Sequence, residues 1–304
     1  MSLGPVMLDL RGPELEADER DMLRHPRVGG VILFARNYRD PRQLAELTRR
    51  VHELRQPPLL IAVDHEGGRV QRFRDQFTHL PPCRSYGEIY DRDPAAALEL
   101  CRKAGWLLAM ELLAVGVDFS FAPVLDLDTG QSRVIGDRAF HASPDTVTAL
   151  ARERLIGAGL AGIMPAHVIY RRVDEKPAGF STVWLQRVLR RELGFRGAIF
   201  SDDISMAGAE VAGNYNRRAM AALGAGCDMV LACNDQAAAV KLLEDLEVDP
   251  DPLSQVRFMR MHGRDPGVDL AGLKRDLEWQ AVASKLASLD IAPELNLGDD
   301  ERET

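Results

Sequence analysis

The 304-residue chain has little of what marks several large protein classes. It holds four cysteines, Cys83, Cys101, Cys227 and Cys233, scattered and nowhere spaced Cys-x-x-Cys. That argues against a disulfide framework and for buried thiols in a reducing compartment. No run reaches 18 consecutive apolar residues, so no transmembrane helix is expected. Met1 to Leu10 lacks the basic stretch and apolar run of a secretory signal, so a cytoplasmic location is expected. Basic charge is not in excess. The balance of 38 Lys and Arg against 46 Asp and Glu gives a net charge of −8, which argues against a general nucleic-acid partner. No Gly-x-Gly-x-x-Gly follows the first strand, so a dinucleotide site has no support. With no low-complexity segment and no Ser-, Pro- or Gly-rich linker, a single domain over residues 1–304 is expected.

What is present is ordinary globular material, 46% hydrophobic and 28% charged, enough to build a core without staples. Short apolar runs read as strands at Val6–Leu10, Val28–Phe34, Leu59–Val63, Val117–Val124, Gly162–Tyr170, Ala198–Ser201 and Asp228–Cys233. They are apolar almost throughout, as parallel strands covered on both faces are. Amphipathic helical stretches lie between them. Asp40-Pro41, Asp93-Pro94 and Ser143-Pro144 place a capping side chain before a proline at the first helical position. Gly116, Gly157 and Gly194 stand where a left-handed C-terminal residue is wanted. Residues 235–297 read as mostly helical, with Asp269–Leu289 one amphipathic stretch, and the charged tail 298–304 is expected to fray.

Alternating strands and helices predict an α/β fold. A doubly wound sheet and a closed (β/α)8 barrel both fit, and polar residues at strand ends favour the barrel. Asp9, Arg36-Asn37, Asp64-His65-Glu66, Asp126, Asp128, His167 and Asp202-Asp203 would converge on one face of a barrel. The strand count is seven, one short of eight. The helix that starts at Asp145 runs into Gly157-Ala-Gly-Leu-Ala-Gly162 and straight on to the next strand, with no room for a further strand and helix.

Four segments carry the chemistry. In Asp64-His-Glu-Gly-Gly-Arg-Val-Gln-Arg-Phe73 a strand-end acid, two glycines and two arginines could grip sugar hydroxyls, or form a strand–helix turn held by an Asp–Arg pair. Phe200-Ser-Asp-Asp-Ile-Ser-Met206 sets two carboxylates side by side. Strand alternation would turn one inward as a nucleophile or base, while Asp203 or Ser205 suits a helix cap. Ile135-Gly-Asp-Arg-Ala-Phe-His141 holds a compact charge pair that reads equally as a salt bridge. In Met164-Pro-Ala-His-Val-Ile-Tyr170, His167 could carry a proton, bind a metal or be a hydrogen-bonded core residue. A metal held by Asp64, His167 and Asp202 is conceivable, but paired-histidine spacing is missing; no cofactor or metal is expected.

Together these motifs closely resemble the bacterial β-N-acetylglucosaminidases of glycoside hydrolase family 3, the cytoplasmic enzymes of cell-wall recycling. The resemblance runs from Gly4-Pro-Val-Met-Leu8 to Gly226-Cys-Asp-Met-Val-Leu231. It implies a single-domain (β/α)8 barrel and retaining hydrolysis through a covalent glycosyl-enzyme intermediate on Asp202. It implies sugar binding by Asp64, Arg72 and Arg138, with His167 lining the site. The implied substrate is a small muropeptide sugar, N-acetylglucosaminyl-β-1,4-anhydro-N-acetylmuramic acid with or without its peptide, and the implied state is a monomer with no membrane insertion. A retaining enzyme needs a carboxylate below the anomeric carbon and a proton donor at the leaving oxygen.

One departure stands out. The family carries a Lys-His-Phe-Pro-Gly-His-Gly segment and, shortly beyond it, a histidine acid/base with an aspartate partner. Neither is in this sequence. They would fall between Gly157 and Gly162, where the strand count is also one short. Either the sequence as given omits a stretch of the polypeptide between Gly157 and Gly162, or the chain lacks its general acid, at a cost of roughly 10²–10⁴ in rate. The second case makes it a weak hydrolase or a module that binds muropeptide sugar without cleaving it, with His167 and His65 the available substitutes.

Overall fold

The computed structural model describes residues 2–130, 133–154, 160–248 and 251–289. Among them run nine strands: β1 (Val6–Asp9), β2 (Val28–Leu33), β3 (Leu60–Val63), β4 (His65–Gly67), β5 (Val70–Gln71), β6 (Phe119–Ser120), β7 (Gly162–Ile163), β8 (Ala198–Asp203) and β9 (Met229–Ala232). Seven lie where the apolar runs placed strands. The other two, β4 and β5, form an antiparallel hairpin where the sequence suggested only a turn. The chain divides into two compact units, residues 1–37, 47–62 and 160–262, and residues 38–46, 63–159 and 263–304.

The first unit is built on a sheet in the order β3-β2-β1-β9-β8-β7. β1 pairs in parallel with β2 and β9, and β8 in parallel with β9 and β7. Every residue of β1, β2, β3 and β9 is buried, as apolar parallel strands demand. β7 is only two residues long and, among the described residues, pairs with β8 alone. It begins just after residues 155–159, so part of the Gly157–Gly162 connection, Gly157 included, lies outside the described residues.

The start of β9 is held by a buried charge cluster. Asp228 accepts from Ile199 N at 2.8 Å and Arg190 Nη2 at 2.9 Å through one oxygen, and from Ser254 Oγ and Arg257 Nη1 at 2.5 Å through the other. The carboxylate ties β8 and β9 to the helices Val183–Glu192 and Pro252–Met259. The first of these helices winds more widely than an α-helix, with Leu193 N donating five residues back to Val188 O.

The second unit packs the helices Cys83–Tyr90, Pro94–Leu113 and Pro144–Arg154. The proline starts fall as predicted, and Asp93 caps its helix by accepting from Ala96 N at 3.1 Å. The stretch Asp269–Leu289 is not one helix. It breaks into Leu270–Leu273 and Leu277–Ala287 because Asp276 caps a new start, accepting from Trp279 N at 2.9 Å. Trp279 Nε1 then donates at 3.0 Å to buried Glu111. Gly116 and Gly194 close their helices at φ +76° and +68° as expected; the tail 298–304 lies outside the described residues.

Candidate functional site

In the second unit the hairpin β4–β5 does the positioning. Its register pairs His65 with Gln71, so Asp64 and Arg72 stand opposite each other, and Glu66, two residues from Asp64, projects to the same side. His65 goes the other way, buried against Phe73 and Phe77 with ring centroids 5.7 and 5.8 Å away. The turn needs glycine. Gly67 sits at φ +103°, and a Cβ there would come within 2.6 Å of Pro81 O. Ser120 Oγ of β6 accepts from His65 N at 3.0 Å and donates to His65 O at 3.2 Å, which fixes the base of the hairpin.

Four charged groups meet on this face. Arg72 Nη2 donates to Asp64 Oδ2 at 3.3 Å. Arg138, from the short turn Gly136–Arg138, donates through Nε and Nη2 to the two oxygens of Glu66 at 2.9 and 2.8 Å. The side chains of Asp64, Arg72 and Arg138 are 26, 25 and 22% exposed, whereas Glu66 is 4% exposed. Three groups can therefore reach a ligand and the fourth lies beneath them. Burial pushes the Glu66 carboxyl above the usual range, and Arg138 pulls against that shift. Arg69 reaches across to Asp137 at 3.4 Å and to the Val134 carbonyl. The structure thus brings three predicted residues, Asp64, Arg72 and Arg138, together. Sequence reading placed Glu66 among the polar strand-end residues but gave it no sugar contact.

The first unit holds the other two predicted residues. β8 does not alternate simply up to its end. Phe200 pairs with Met229 but Asp203 pairs with Leu231, three residues against two, so a bulge falls at Ser201-Asp202. Bulges re-aim side chains next to active sites. Buried Ser201 repairs the ladder there, its Oγ donating to Asp202 O at 2.7 Å and accepting from Leu231 N at 3.1 Å. The bulge separates the neighbours' roles. Asp203 accepts from Ser205 N at 2.9 Å, Ser205 Oγ at 2.5 Å and Cys233 N at 3.2 Å, so it latches the ends of β8 and β9. Its burial raises the carboxyl to about 6, against those hydrogen bonds. Asp202 Oδ1 accepts from Asp203 N at 2.9 Å.

His167 lies behind the same latch. Its Nε2 is 3.1 Å from the Asp203 carbonyl, and because a carbonyl only accepts, this nitrogen carries the proton. The ring packs on Phe180 with centroids 4.9 Å apart. Burial holds the imidazole below its usual range, so it is neutral at pH 7. Of the roles open to it from sequence, the hydrogen-bonded one is what the geometry displays. At the ends of β1 and β9, Asp9 Oδ2 accepts from Arg36 Nη2 at 2.5 Å and Asn234 N at 2.9 Å. Asn234 takes φ +62° to do so, a conformation asparagine tolerates. No group of three or more His, Cys, Asp and Glu side chains is arranged to hold a metal among the described residues.

The profile of the glycosyl hydrolase family 3 N terminal domain matches residues 6–157 and again 153–260. The Beta-hexosaminidase of Thioalkalivibrio sulfidiphilus is 51% identical over 346 aligned positions, covering 98% of this chain and 99% of the relative. That of Nitrosospira multiformis is 48% identical, covering 96% and 98%. Among solved structures, NagZ from Neisseria gonorrhoeae in complex with N-trifluoroacetyl-D-glucosamine superposes with a TM-score of 0.89 at 36% identity, covering 96% of this chain and 99% of that one. Since 98% of 304 residues fill 346 positions, about 48 positions of the first relative have no counterpart here. The family profile breaks into its two matches at 153–157, at the border of the connection where the strand count fell short. On these matches, which together span more than four-fifths of its length, the chain belongs to glycosyl hydrolase family 3.

Proposed function

We propose that this chain is a retaining exo-hydrolase that removes β-linked N-acetylglucosamine from small peptidoglycan fragments, N-acetylglucosaminyl-anhydro-N-acetylmuramic acid with or without its peptide. The observation that carries the reading is the family match across residues 6–260, with relatives named Beta-hexosaminidase at about half identity. In this reading Asp202 attacks the anomeric carbon and forms the glycosyl-enzyme intermediate. Asp64 accepts from sugar hydroxyls, Arg72 and Arg138 donate to hydroxyl or carbonyl oxygens, and His167 lines the site. A sugar lacking a hydroxyl that Asp64 accepts would leave the carboxylate unpaired, which is how such a site discriminates. The parallel strands are those of a (β/α)8-type barrel short of one β/α unit, acting as a monomer in the cytoplasm.

The roughly 48 positions without a counterpart favour a second reading. If the family's histidine acid/base lies among them, the chain is a weak hydrolase or a binder of muropeptide sugar. Leaving groups separate the two readings. A 2,4-dinitrophenolate departs without a proton, and a sugar alkoxide does not. Steady-state kinetics on the dinitrophenyl β-N-acetylglucosaminide and on the disaccharide decide. The first reading predicts turnover of both. Turnover of the aryl glycoside alone, or binding without turnover, selects the second.

A further inference from the structure

We propose that Glu66 is a positioning residue, which sets Arg138 for the N-acetylglucosamine ring without touching the sugar itself. The proposal rests on the reading of Arg138 as a sugar contact. Its carrier is geometry. The two Glu66 oxygens take Nε and Nη2 of Arg138 at 2.9 and 2.8 Å, the parallel fork that fixes a guanidinium plane as a single bond cannot. Glu66 is 4% exposed and Arg138 22%, so the acid lies below the base and the base faces outward. The acid itself is rigidly held. It belongs to β4, whose neighbour His65 is pinned to Ser120 on both its backbone groups, and the following Gly67 admits no side chain.

Arg138 comes from the short turn Gly136–Arg138, where its N–H donates to Ile135 O at 2.9 Å. Its Nη1 also donates to Val134 O, at a longer 3.3 Å. The two-bond contact that fixes the guanidinium plane comes from beneath, from the hairpin. The same face carries the Asp64–Arg72 pair, so two arginines are each steered by an acid of one hairpin. Asp64 shares solvent with its partner, while Glu66 does not; that difference assigns Asp64 to the ligand and Glu66 to Arg138.

The test is a double-mutant cycle read by calorimetry, with N-acetylglucosamine as the probe and the full chain throughout. The proteins are wild type, Glu66→Gln, Arg138→Ala and the double variant. The glutamine keeps the shape but turns an NH2 toward a guanidinium N–H. Glu66→Gln is expected to weaken binding roughly tenfold in wild type, and by less than about twofold once Arg138 is gone, because coupled residues are not additive. Equal weakening in both backgrounds, or none in wild type while Arg138→Ala weakens binding, overturns the proposal. Normal binding by Arg138→Ala overturns the sugar-contact reading and the proposal with it. Should the glutamine variant fail to fold, Glu66→Asp, which keeps the charge but withdraws it, is expected to give the same non-additive pattern.

Discussion

Asp202 and Asp203 are adjacent and chemically identical, yet the bulge at Ser201-Asp202 gives them different work. Asp203 is spent on Ser205 and Cys233; Asp202 is the one the family resemblance makes the nucleophile. The two assignments predict different losses. Asp202→Asn is expected to lower release of an aryl leaving group from a β-N-acetylglucosaminide by at least about 10³-fold, roughly 4 kcal/mol of transition-state stabilisation, with an unchanged melting temperature. Asp203→Asn acts on stability. The Asp203 carboxyl is raised to about 6 in the fold, above its ordinary value of 3.8. The neutral form is thus the one the fold favours. Its contribution is present in full below the unfolded value and is lost as pH rises through about 6. Melting curves from pH 4 to 7 should show wild type losing ground to Asp203→Asn as pH rises. A constant difference between the two would refute the assignment. The pair itself was readable in the sequence. The resemblance named Asp202 and the residues themselves suited Asp203 to a cap, but the bulge between them was not readable, because strand alternation alone gives no warning of one.

Elements were readable where local chemistry is strong and unreadable where partners far along the chain decide. The proline starts at Pro41, Pro94 and Pro144 are set by a cap and a fixed φ, both local. The buried strands follow from unbroken apolar runs. The β4–β5 hairpin was missed because Gly67 and Gly68 mark any tight turn, and its pairing is stabilised by contact with Ser120, some fifty residues on. The break before Leu277 was missed because Asp276 competes with a continuous amphipathic pattern. Two substitutions test this account. Gly67→Ala would force a Cβ against Pro81 O at a backbone angle hostile to side chains, so it should cost on the order of 1–3 kcal/mol in urea unfolding. Asp228→Ala would leave Arg190 and Arg257 without their shared buried carboxylate, and roughly 3–5 kcal/mol should be lost. A loss below about 1 kcal/mol at Asp228 would mean that the start of β9 is held by packing alone.

For the chain as a whole, composition set the class, since nothing in it suits a nucleic-acid binder, and no helix among the described residues is long and apolar enough to cross a membrane. The sequence raised the expectation of one absent β/α unit twice, in a strand count of seven and in the absent family segment. The first relative carries about 48 positions that have no counterpart here. What sequence could not supply was the support under the site, the Glu66–Arg138 fork and the Ser201 repair, because both join residues by geometry rather than by spacing. The proposed function gives each carboxylate a separate duty, and the claim at its centre is a covalent bond to Asp202. The most direct test is peptide-level mass spectrometry of the protein after incubation with a fluorinated N-acetylglucosaminyl fluoride, whose excellent leaving group needs no acid and whose ring fluorine slows hydrolysis of the adduct. The account predicts one ring-fluorinated N-acetylhexosaminyl group on the peptide that contains Asp202, the anomeric fluoride having left, and none in Asp202→Asn. Turnover without any adduct, or an adduct on another residue, would contradict it.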